Sequence, residues 1–124
     1  VALAEPWAEW ARDQLKAHKG NLVMSAVNLA EVLARLRQMR PDTFAEARSR
    51  LFAGAIEFVP VDAQQAELAA AARDRFPINF GDCFCYALAS VRADSILTID
   101  RDFRVLDLHV VLPPVAVDTA TPDR

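Results

Sequence analysis

The chain has 124 residues, enough for one domain with a core of its own and too few for two comfortable ones. Apolar residues make up 53% and charged residues 25%, the balance of a folded globular protein rather than a disordered one. The net charge of −3 speaks against a protein that coats nucleic acid by bulk basicity, and no apolar run reaches the roughly 20 residues of a membrane helix. No basic stretch leads into a short apolar one, so a cytoplasmic protein without membrane contact is expected.

In chain order, Pro6 opens a helix over about Trp7–His18, with Trp7, Trp10, Ala11 and Leu15 at helical spacing and Gly20 as its C-cap. Asn21–Met24 is a short strand. Ser25 caps a helix over Ala26–Met39, and Pro41–Asp42 restart a further helix to Leu51 or Phe52. A strand over Ala55–Val61 follows, with Pro60 marking a strand edge or end. Asp62 caps an alanine-rich helix over Ala63–Arg75, which Pro77 stops. The loop Ile78–Gly81 leads into a helix over Asp82–Val91. Ser95–Ile99 is a buried strand, Asp102–Leu106 a helical turn or loop, and His109–Leu112 the last strand, stopped by Pro113–Pro114. Strands alternating with helices predict an α/β fold with a mainly parallel sheet covered on both faces. Residues 1–114 form the expected domain and residues 115–124 a loosely ordered tail.

The two cysteines, Cys83 and Cys85, point to different faces of one helix. With no second Cys or His pair nearby they read as small buried hydrophobes of a reducing compartment. Of the seventeen acids, three stand out by position. Glu31 lies mid-helix among Val27, Leu29, Val32, Leu33 and Leu36. That helix is expected to be largely buried, and a carboxylate there needs a partner or a metal. Asn28 stands three residues before it on the same face. Asp82 opens a helix, and Asp100 directly follows a strand, at the end where open parallel sheets place their ligand crevice. Taken singly, Asp82 also reads as an N-cap and Asp100 as a turn residue. Three carboxylates on one rim repel unless a cation sits among them, and Mg2+ or Mn2+ suits oxygen ligands. Arg35, Arg37, Arg40, Arg48 and Arg50 crowd into sixteen residues, which suits a phosphodiester substrate and equally a solvated helix face.

The segments S-A-V-N-L-A-E-V at Ser25–Val32, F-V-P-V-D at Phe58–Asp62, F-G-D-C-F-C-Y-A-L-A at Phe80–Ala89 and L-T-I-D-R-D-F at Leu97–Phe103 together resemble the PIN-domain family, and within it the VapC-type toxins of bacterial toxin–antitoxin pairs. The likeness runs from about Val1 to Pro114. It implies a parallel sheet of about five strands between helices. It implies Mg2+- or Mn2+-dependent cleavage of single-stranded RNA, often tRNA or mRNA, by a commonly dimeric toxin that an antitoxin silences. Carried over residue by residue, Glu31, Asp82 and Asp100 match the family's catalytic and metal-binding acids. Ser25, Asn28 and Asp102 match positions that line that site. Two departures stand out. Ile99 occupies the place of a usual glycine before the last Asp. The family's first strand, central in its sheet and ending in an Asp ligand, has no counterpart, because Val1–Pro6 resembles the helix that follows it. That strand is expected just ahead of Val1 or from another chain. Two other readings stay open at this stage: a non-toxin PIN nuclease of RNA maturation, and an inert form that serves as a binding module. A phospho-acceptor domain is disfavoured, since the only lysines, Lys16 and Lys19, lie too early.

Overall fold

The structure, a computed structural model, describes residues 8–114. Helix α1 (Ala8–Ala17) ends in a turn through Gly20, whose φ of 88° lies in the left-handed region that glycine enters without a Cβ clash. Strand β1 (Leu22–Ser25) follows. The Ser25 hydroxyl accepts the Val27 N–H at 3.2 Å and starts helix α2 (Ala26–Met39) directly at the strand's end. Helix α3 (Phe44–Ala53) follows the Pro41–Asp42 restart with Thr43, one of the two cap candidates beside Asp42, at its N-cap but without a side-chain cap bond. Strand β2 (Ile56–Val59) stops before Pro60, whose carbonyl accepts from Gln65 Nε2 at 3.3 Å. Asp62 accepts the Gln65 N–H at 2.9 Å and caps helix α4 (Ala63–Arg75). Arg73 then donates to the Ile78 carbonyl at 2.8 Å, pinning the turn into helix α5 (Phe80–Arg92). Strand β3 (Ile96–Leu97), a 3-10 turn (Arg101–Val105) and strand β4 (Val110–Val111) complete the described chain. Trp7 and the tail 115–124 lie outside it.

The strands are parallel, as the alternation predicts, but they do not make one sheet. Among the described residues β1 pairs with β2, from Leu22 opposite Ile56 to Ser25 opposite Val59, and β3 pairs with β4 through Ile96–Val110 and Leu97–Val111. Four described strands in two pairs are what remains of a sheet of about five once its central first strand has no counterpart in the chain. Between the pairs lies a slot of 480 Å³. The whole of β1 forms one wall, β3 and Thr98 form the other, and Cys85, Leu88 and Ala89 of α5 supply apolar lining. Helix α5 packs against both β1 and β3 and so carries both half-sheets. With pairing on one side only, β3 is shorter than the Ser95–Ile99 strand the sequence suggests.

The core sits beneath β3. Ala69 and Ala72 let α4 approach α5 closely. Cys83, Tyr86 and Ala87 fill the contact, together with Ile78, Ile96, Phe103 and Leu106. Both cysteines are free thiols, Cys83 buried and Cys85 half-buried, in line with their reading as small hydrophobes. Helix α2 corrects an expectation. None of its residues is buried, Val27, Leu29, Val32, Leu33 and Leu36 are half-covered, and Met39 and Glu31 are exposed. Its helical and strand neighbours are α3, α5 and the narrow β1–β2 pair, which is too little surface to enclose a fourteen-residue helix.

Candidate active site

Asp82 is the centre of the arrangement. The sequence allowed it to be the cap of its helix; the structure gives that task to Asn79, whose Oδ1 accepts the Asp82 N–H at 3.0 Å. Helix α5 therefore starts at Phe80, and Asp82 stands in its first turn with its carboxylate free of capping duty. This carboxyl is pushed up to about 6, by burial first and then by the carboxylates of Asp100, Glu31 and Asp102, in that order. Four acids from three separate segments thus share one electrostatic neighbourhood.

Each of the others is held by local bonding. The Asp100 N–H donates to Thr98 Oγ1 at 3.0 Å, and Asp100 Oδ1 accepts the Asp102 N–H at 2.9 Å, so Asp100 caps the 3-10 turn and fixes Asp102 two residues on. Its reading as a turn residue holds alongside its place near Asp82. Asn28 uses its amide twice, donating to Glu31 Oε1 and to the Gly81 carbonyl, both at 3.0 Å. It joins α2 to the first turn of α5 and stations Glu31 beside Asp82. Gly81 makes this approach possible, because a Cβ there would run into the Glu31 carboxylate. Sequence reasoning passed over Gly81. Its signal was a glycine between a helix cap and an acid, a place where helix propensity alone favours another residue. Ser25, 1% exposed, caps α2 and lines the slot, and Asn28 lines it too.

The donor set is entirely carboxylate oxygen, which in kind suits a hard divalent cation, and the repulsion that raises Asp82 is what such a cation relieves. Among the described residues no three His, Cys, Asp or Glu side chains come close enough to hold one ion between them. The Cys85 thiol is pushed up to about 11, by burial first and then by Asp82 and Glu31, so it is neutral at ordinary pH and no thiolate nucleophile.

Known proteins are similar to this chain in sequence and in fold. The model of the PIN domain family matches residues 1–108. Ribonuclease VapC30 of Mycobacterium tuberculosis is 31% identical over 117 residues, which covers 89% of each chain. Ribonuclease VapC of Mycolicibacterium smegmatis is 38% identical over 68 residues, 49% of this chain and 53% of that one. Among solved structures, a toxin–antitoxin complex from Klebsiella pneumoniae superposes with a TM-score of 0.70 at 20% identity, covering 86% of this chain and 85% of its own. DNA-bound VapBC from Salmonella typhimurium does so with a TM-score of 0.70 at 17% identity, covering 86% of each. No described helix is long and apolar enough to cross a membrane. The chain belongs to the PIN-domain family, and its curated relatives are VapC ribonucleases.

Proposed function

We propose that this chain is a metal-dependent endoribonuclease, the toxin of a toxin–antitoxin pair, cutting single-stranded regions of tRNA or mRNA in the cytoplasm. The observation that carries the reading is the Asp82 carboxyl, raised by its burial first and then by Asp100, Glu31 and Asp102 around it. Likeness to VapC ribonucleases supplies the reaction class. Asp82, Asp100 and Glu31 do not close on one ion by themselves, and with a further acid at the end of a strand in the slot they would hold Mg2+ or Mn2+. Such an ion supplies Lewis-acid stabilisation of the scissile phosphate and makes water a better nucleophile. Asn28 fixes the orientation of Glu31, Asp102 lies within reach as an auxiliary carboxylate, and Ser25 closes the wall behind them. The partners are the RNA, a cognate antitoxin and a second copy of the chain.

The slot between β1 and β3 fits the strand that the family resemblance calls for. Run parallel to both neighbours, such a strand would end on the rim that Asp100 follows β3 onto, and an acid there would complete the set. The decisive experiment is Asp82→Asn. Mg2+-dependent cleavage of RNA should vanish while the circular dichroism spectrum stays that of the parent, and undiminished cleavage would overturn the proposal. Inhibition of cleavage by the co-expressed antitoxin separates a toxin from a nuclease of RNA maturation.

A further inference from the structure

A rim of four acids on a protein of net charge −3 repels a polyanion, so an RNA nuclease built this way needs cationic contacts close to the acids. Helix α2 offers one within a turn of Glu31. Arg35 lies four residues on, on the same face, at the spacing where Glu and Arg ordinarily pair. Here they do not: Asn28 holds the Glu31 carboxylate, and no ion pair engages Arg35 among the described residues. Further along, Arg37 and Arg40 close α2, and Arg48 and Arg50 stand on α3; all are exposed. Of these five only Arg50 meets a carboxylate, Glu46 at 3.0 Å, among the described residues. Arg37 lies over the Phe44 ring at 4.3 Å and Arg48 over the Phe52 ring at 4.7 Å. Stacking orders a guanidinium while leaving its N–H edge to solvent, the state in which it accepts a phosphate in bidentate fashion. Arg40, Thr43 and Arg50 also line a cleft of 310 Å³, in which Glu46 is the one acid.

We propose that the α2–α3 hairpin is the track on which the RNA backbone lies. Arg35 is a positioning residue for the phosphate nearest the acids, and Arg37, Arg40 and Arg48 hold phosphates further along. This rests on the ribonuclease reading for its substrate. The choice of RNA over an acidic protein follows from the place of Arg35 one turn from Glu31 on the same face of α2, and from planar donors matched to phosphate. The test uses a fluorescein-labelled single-stranded oligouridine, followed by anisotropy across a salt series, together with steady-state cleavage. The Arg37→Gln/Arg40→Gln/Arg48→Gln variant should lower the slope of log Kd against log salt by about 2, because each phosphate neutralised on a single strand contributes about 0.7 to that slope. Arg35→Gln should raise KM by about tenfold with a smaller change in kcat, and Arg35→Lys should recover part of that loss, keeping the charge but not the fork. Unchanged slope and KM in a parent that binds and cuts RNA would overturn the track and leave the ribonuclease reading intact. Loss of antitoxin binding with RNA binding preserved would overturn it in favour of a protein interface. A parent that binds the oligouridine through these arginines yet never cuts RNA would uphold the track and sink the ribonuclease reading.

Discussion

Asp82 carries the electrostatic strain of the rim, and its titration is measurable. Its carboxyl rises from 3.8 to about 6 on folding, so the folded state favours the protonated form. Below both values the group is protonated folded and unfolded and adds no penalty; the penalty grows from about pH 4, where the unfolded chain ionises first, and is complete once pH has passed about 6. Without metal, the melting temperature should therefore fall between about pH 4 and about pH 6.5 more steeply in the parent than in Asp82→Asn. Added Mg2+ should stabilise the protein progressively more as pH rises through about 6, because the ion needs the ionised carboxylate. A parent and mutant with parallel pH profiles would show that Asp82 does not feel its neighbours. Gly81→Ala separates site from scaffold. Alanine in the first turn of α5 gains up to about 1 kcal/mol of helix propensity, and the obstacle it meets is the flexible end of Glu31. Thermal stability should hold or rise while RNA cleavage drops by more than tenfold. Cleavage at the parental rate would mean that the placement of Glu31 is immaterial.

At the scale of elements, α5 does the most. Its first turn presents Asp82, its buried face packs on α4, and its middle supports both strand pairs. Its start depends on one cap. Asn79→Ala should remove about 1 kcal/mol, and with it about 4 °C of melting temperature for a domain of this size, read by thermal denaturation. The α4–α5 contact is tight at Ala72, which is 1% exposed, so Ala72→Leu should destabilise by about 1–3 kcal/mol through overpacking. Helix boundaries in this part of the chain were legible because the caps are local. Ser25 and Asp62 each act within a few residues of their helix ends. The Asn79 cap was missed because Asp82, three residues on, carries an equally good capping side chain.

At the scale of the whole molecule the slot dominates. Its walls are strand edges and its lining is largely apolar, so an extended segment there would gain main-chain hydrogen bonds on both sides and apolar burial from α5. A polypeptide carrying an apolar strand ahead of Val1 should melt at least about 10 °C above residues 1–124 alone, given several kcal/mol of added burial. In it, the amides of Leu22–Ser25 and Ile96–Leu97 should exchange more slowly with deuterium. Equal melting points and equal exchange would mean that the slot does not receive that strand.

The sequence by itself determined the order and type of the elements, the parallel α/β class, and which acids stand apart from ordinary surface charge. These depend on periodicity, caps and the company each residue keeps along the chain. Only the tertiary structure decided how those acids relate. Glu31 is exposed rather than buried, because its helix rests on a narrow strand pair. It is stationed by Asn28 and by the missing side chain of Gly81, fifty residues away. Asp82 is raised by carboxylates that reach it from two other segments, through a packing of α2, α5 and the β3 loop that no local pattern encodes. Which strands pair is settled between segments far apart in the chain, and only the family resemblance, with its central strand lacking a counterpart, pointed to a sheet in two pairs.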